Sequence, residues 1–154
     1  MPAGPATNVG QVSYLRATRV ICVLLAVAFV VSVVHYLDNY VNYADYPTPS
    51  PGSRLPVPSA GVVGGSWFVF TALGVLGLVL WFRRRITLAA IALTAYSVSG
   101  LIGIAHYAVP GAIHMVWWRQ THVVADICCG AAVFGFALWA AWHSDELSPP
   151  GSRL

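Results

Sequence analysis

Four stretches of the chain are almost purely apolar, and polar or helix-breaking residues separate them. Val20–Val34 runs on into His35, Tyr36, Leu37 and Asp38, and Trp67–Phe82 stops at Arg83-Arg84-Arg85. Ile86–Val109 is closed by Pro110-Gly111, and Val123–Trp142 follows Trp117, Trp118 and Arg119 and ends at His143. As helices, runs of about 16 to 24 residues cross a hydrocarbon core of roughly 30 Å, the shortest only just. Lipid offers the backbone no hydrogen-bond partner, so each run must satisfy its own amides, and a helix does this. The pattern predicts an all-α, integral membrane four-helix bundle. It forms a single membrane domain over 1–154, with spans at about 20–36, 67–82, 86–109 and 122–142.

The segments between the runs fit this reading. Asn42–Gly65 carries Pro47, Pro49, Pro51, Pro56 and Pro58 among glycines and serines, which no spanning segment tolerates. Met1–Thr18 is polar or small and rich in Pro, Gly and Ala, and reads as a frayed tail or short interfacial turn. Arg16 and Arg19 before an apolar centre also fit a signal peptide. However, the small-x-small site Ala26-Val27-Ala28 lies in mid-run and none follows it, so Val20–Tyr36 is expected to be a retained helix. One further turn of that helix would put Asp38 and Asn39 on the face of His35.

Composition sharpens the class. Hydrophobic residues make up 58% and charged residues 8% of the 154, against about 25% charged in soluble domains. The expected partner is therefore the lipid bilayer. All eight basic residues are arginine, and they flank apolar runs instead of forming one basic face, which argues against nucleic acid. With the N-terminus inside, Arg16, Arg19, Arg83, Arg84, Arg85 and Arg153 are cytoplasmic, and only Arg54 and Arg119 lie outside. The bias predicts a multi-pass protein of the cell membrane with N- and C-termini cytoplasmic, and with Asn42–Gly65 and Pro110–Thr121 extracytoplasmic. Cys22, Cys128 and Cys129 lie within apolar runs and imply no disulfide framework. The repeat of PGSRL at Pro51–Leu55 and Pro150–Leu154 joins opposite sides of this topology and reads as coincidence.

The candidate chemistry gathers in Gly100–Asp126, where ionisable side chains approach and enter an apolar run. An ionisable residue inside a membrane marks a functional site by default, because leaving it unpaired costs roughly 3 kcal/mol on insertion scales. His35, His106 and His122 all fall near the outer ends of their helices. His122 and Asp126 share a face, as do Trp118 and His114 on an extended helix. Imidazole with carboxylate suits zinc, iron or copper. Two histidines from separate helices suit haem iron, and a carboxylate against a histidine suits proton transfer. His35, His106, His122 and Asp126 are therefore the candidate ligands of a divalent metal or haem, with Asp38, Asn39, Ser99 and His114 in support. The same histidines also suit interfacial helix ends beside Tyr36 and Tyr107. Within this reading His122 is the expected partner of Asp126, with the Ser99 hydroxyl as an alternative. Arg119, nearly two turns away, is a poorer one.

Small residues mark where helices meet: Gly74 with Gly77, Ser99 and Gly100 with Gly103, and Gly130 with Gly135. The echo of His35-Tyr36 in His106-Tyr107 is the pattern a duplicated hairpin would leave. Phosphate-loop, nucleotide-fold and nucleophile-elbow signatures are absent. In helix count and in the placement of His35, Asp38 and Asp126, the layout resembles the EXPERA group. The members of that group are four- and five-helix membrane proteins whose acids and histidine line a pocket between helices. No catalytic role is carried over from it. The function expected is a His/Asp pocket on the extracytoplasmic side that binds a metal or haem, or handles protons on a lipid-like substrate. The alternative is a non-catalytic accessory subunit of a larger membrane complex or a homo-oligomer.

Overall fold

The computed structural model describes residues 6–50, 53 and 57–148, so Arg54, Arg153 and all of both PGSRL copies except Ser53 lie outside the described residues. Four long helices dominate: α1 (Ala6–Val41), α2 (Ala60–Phe82), α3 (Ile86–Leu101) and α4 (Trp117–Trp142). A short α5 (Ser144–Leu147) follows, and 3₁₀ turns lie at Tyr43–Asp45, Ile102–Ala108 and Ala112–His114. There is no strand among the described residues. Each long helix packs on its neighbours in sequence and α4 closes the ring on α1, the up-down-up-down bundle that short connections favour.

All four long apolar segments are long enough to cross a membrane, and their outer faces show what surrounds them. Val30, Phe68, Ile91 and Leu138 are 62%, 69%, 62% and 54% exposed. An apolar shell on every helix far exceeds what a water-soluble monomer presents. Four such helices with apolar outer faces suggest a multi-pass membrane protein.

One end of the bundle is closed by an indole. Trp81 is fully buried, stacked on Tyr14 at 5.6 Å between ring centroids and tilted against Phe136 at 5.3 Å. Its Nε1–H donates to Thr18 Oγ1 at 2.9 Å, and the Tyr14 hydroxyl donates to the Trp81 carbonyl at 3.1 Å. Arg84 ends α2 in the left-handed region (φ 58°). Its guanidinium lies 3.2 Å from the Tyr14 ring centre, and its Nη1 donates to the Leu147 carbonyl. Residues 6–18 are therefore not the expected tail but the first turns of α1, held because Tyr14 and Ala17 are buried in this core.

At α3 and α4 the two backbones touch. A Cβ on Gly130 would lie 2.8 Å from both the Leu101 nitrogen and the Ser97 carbonyl oxygen, and one on Gly100 would collide with the Asp126 carbonyl. Gly74 and Gly77 accommodate Tyr96 and Leu93, whereas Gly135 faces open space and is not the contact expected of it. Beyond Gly100 the third span tightens to 3₁₀ from Ile102 to Ala108 instead of running on as α-helix to Val109. It then turns at Pro110-Gly111, where Gly111 takes φ 90°. The tighter winding carries side chains of residues three apart onto one side, so His106 follows Gly103 toward the bundle.

Candidate functional site

At the opposite end from Trp81, two helix faces supply most of the buried polar groups. On α1, which runs to Val41, His35, Asp38 and Asn39 recur at helical spacing, and Asn42 follows one residue past the helix end. On α4, Arg119, His122 and Asp126 do the same, and all three are buried. Gln120 secures the start of α4 by donating its side-chain amide to the Ile113 and Met115 carbonyls.

The groups form two layers. In the deeper one, His35 Nδ1 lies 2.7 Å from Asp126 Oδ2, with Asp126 only 2% exposed. In the outer one, Asp38 Oδ2 accepts from the Tyr46 hydroxyl at 2.6 Å and from Arg119 Nε at 2.9 Å. Asn42 Nδ2 donates to Asp38 Oδ1 at 2.6 Å. Arg119 also reaches the exposed Asp45 through Nη2 at 3.2 Å. Burial, then the bond to the Asp38 carboxylate, pushes the Tyr46 phenol well above its ordinary pKa, so it stays a donor. The 3₁₀ turn Tyr43–Asp45 folds the chain back for this contact.

Three imidazoles lie between and beside these layers. The His35 ring is 5.6 Å from that of His106 and 5.4 Å from that of His122. His106 Nε2 is 3.2 Å from Asn39 Nδ2. His122 Nε2 comes within 3.3 Å of Asp38 Oδ2, an ion-pair distance. Its orientation makes no hydrogen bond there, so this is charge proximity only. Both His122 nitrogens, His35 Nε2 and the Tyr107 hydroxyl are buried without a hydrogen-bond partner among the described residues. Buried polar atoms are nearly always paired, and exceptions concentrate where chemistry or a ligand intervenes.

A cavity of about 620 Å³ opens beside the cluster. His35, Asn39, Tyr46 and His106 form its polar wall, and Phe70, Ile102 and Val109 are among the apolar residues opposite. The space is of the size that takes a drug-sized ligand.

Several sequence-based expectations need revision. The partner of Asp126 is His35 on α1, not His122, because α1 and α4 face each other at this level while His122 leans toward Asp38. Ser99 contributes its carbonyl, which accepts from the Tyr36 hydroxyl at 3.1 Å. His114 is exposed on its 3₁₀ turn and stands apart from the cluster. The His-Tyr echo also ends in unlike settings, since Tyr36 is bonded and Tyr107 is not. Arg119, Asn42, Asp45 and Tyr46 were not expected in the site. The available signal was Arg119 itself, three residues before His122 on the inner face of α4.

Among the described residues, no group of three or more His, Cys, Asp or Glu side chains is placed to hold a metal ion. His35 Nδ1 and His106 Nε2 are already engaged by Asp126 and Asn39. The arrangement is a carboxylate–imidazole pair flanked by further imidazoles, beside an apolar cavity. Comparison with known protein families, with curated proteins and with solved structures finds no match.

Proposed function

We propose that this membrane protein binds a lipid-like ligand in the cavity and exchanges protons with it through the imidazole cluster, with His35–Asp126 holding the proton. The observation that carries this reading is the double position of His35, which lines the cavity and also bonds the buried Asp126. Acid and histidine chains inside membranes serve as proton relays, and ring spacings of 5.4 and 5.6 Å make the three histidines contiguous. His35 Nδ1 faces the Asp126 carboxylate, which leaves Nε2 as the nitrogen able to pass a proton on.

Loading the detergent-purified protein with a membrane lipid extract is expected to change carboxylate and imidazole bands in its infrared difference spectrum. Asp126→Asn should remove those bands while the fold persists, since an amide still bonds across helices for about 0.6 kcal/mol. Unchanged bands on loading would defeat the reading. Stoichiometric zinc, iron or copper in the purified protein would return the cluster to metal chemistry.

The orientation proposed from the arginine bias places the cluster and cavity on the extracytoplasmic side. A single cysteine at Ser53, with Cys22, Cys128 and Cys129 changed to alanine, is expected to react with an impermeant thiol reagent in intact cells. A cysteine at Ser148 should be protected. The reverse pattern puts the cavity on the cytoplasmic side.

The accessory-subunit reading draws support from the Asp38–Arg119–Tyr46–Asn42 layer, whose hydrogen bonds are satisfied as in a structural clamp. It leaves the unpartnered His35 and His122 nitrogens unaccounted for.

A further inference from the structure

The cavity wall narrows the ligand by what it can and cannot bind. Among the described residues lining it, none is Arg, Lys, Asp or Glu. Nearby, Asp38 and Arg119 neutralise each other across 2.9 Å, and Asp126 is turned to His35. An ammonium head group would meet no carboxylate on this described wall and a phosphate only a protonated imidazole, and burying a charge that is poorly paired is costly. The described wall thus suits an uncharged head. The wall offers neutral hydrogen-bonding groups at Asn39 and His106, and aromatic faces at Tyr46 and Phe70. The Tyr46 ring stands 5.1 Å from the His106 ring.

Building on the proton-exchange reading, a second constraint applies. A relay that ends at such a pocket is matched by a ligand that gains and loses protons and is neutral in both states. Lipid alcohols and esters do not exchange protons in this way near neutral pH, whereas quinones and quinols do. Both forms are planar, apolar at the ring and tail, and bear oxygens that meet amide and imidazole groups. We propose that this cavity is a binding site for the ring of a membrane quinone or quinol, held by Asn39 and His106. Interconversion of the two forms moves electrons with the protons, and an electron carrier of haem, flavin or iron–sulfur class in a partner protein would exchange those electrons. His106 and His35 would carry the protons.

The test uses the full chain in detergent with a benzoquinone bearing a decyl tail, followed by quenching of tryptophan fluorescence. Saturable binding is expected. Asn39→Leu and His106→Phe should each weaken it at least about tenfold, the loss that follows when a ligand hydrogen bond near 1.4 kcal/mol is removed. Val62→Trp fills the cavity without touching the buried network and should abolish binding while leaving the melting temperature close to wild type. Absence of saturable binding, or binding indifferent to Val62→Trp, overturns the proposal. Equal binding of a diacylglycerol at the same wall also overturns it, because the site would then read only a neutral lipid. In that case the infrared response to Asp126 would stand or fall separately, so failure of the quinone assignment is distinguishable from failure of the proton-exchange reading.

Discussion

Arg119→Met is expected to lower the stability of the bundle by about 3–5 kcal/mol, the cost of stripping one partner from a buried ion pair. Arg119 and Asp38 are 6% and 8% exposed, and the guanidinium Nε sits 2.9 Å from the carboxylate. Methionine keeps much of the stem's packing but leaves Asp38 with the Tyr46 hydroxyl, the Asn42 amide and the nearby His122 ring in place of a permanent cation. The carboxylate must then take up a proton, draw water into the bundle or force a proton onto buried His122, and each costs more than the Arg119 pair. Adding Asp38→Asn to Arg119→Met should recover much of the loss, because no buried charge remains. The outer arm of the same arginine offers a contrast. Asp45 is 63% exposed at its side chain, so Asp45→Asn should cost less than about 1 kcal/mol, as for exposed pairs. Thermal unfolding in detergent, read as a double-mutant cycle, checks all three. Coincident melting of wild type and Arg119→Met would mean that the pair is not the buried tie described.

Gly130→Leu is expected to be comparably severe and to reach the site through the backbone. The atoms its Cβ would meet, Leu101 N and Ser97 O, belong to α3's main chain and cannot rotate away. Small-to-large changes usually cost about 1–3 kcal/mol when side chains can shift, and here a helix has to move, so the upper end or beyond is expected. Separating α3 from α4 also displaces Asp126, one turn from Gly130 and itself against Gly100. The His35–Asp126 contact should open with it. Gly135→Leu provides the control, since nothing lies within 4 Å of that position, and it should melt with the wild type. The measurement is the yield and melting temperature of monodisperse protein in detergent. A folded Gly130→Leu variant with an unchanged melting temperature would contradict the α3–α4 contact.

How far each feature could be read from sequence follows from whether its cause is local. The four long apolar helices were legible because apolar composition over a bilayer's thickness is a property of consecutive residues. Only the ends went astray. Residues 6–18 look like a tail because their small and polar side chains mean little locally, and the side chains that hold the helix, Tyr14 and Ala17, do so in the core around Trp81. The switch to 3₁₀ at Ile102 was likewise invisible, since Gly100 and Gly103 announce a close approach without announcing its partner.

In the site, His35, His106, His122 and Asp126 stood out in the sequence because ionisable groups in an apolar run are costly wherever they point. Asp38 and Asn39 could be placed on the face of His35 by helical spacing alone. Spacing orders residues along one helix and says nothing of what stands across from it. The bonds that define the site join His35 to Asp126 and Asp38 to Arg119, pairs 91 and 81 residues apart. Which carboxylate met which cation depended on the rotation of α1 against α4 and on the backbone contact at Gly100 and Gly130, and only tertiary packing decides those.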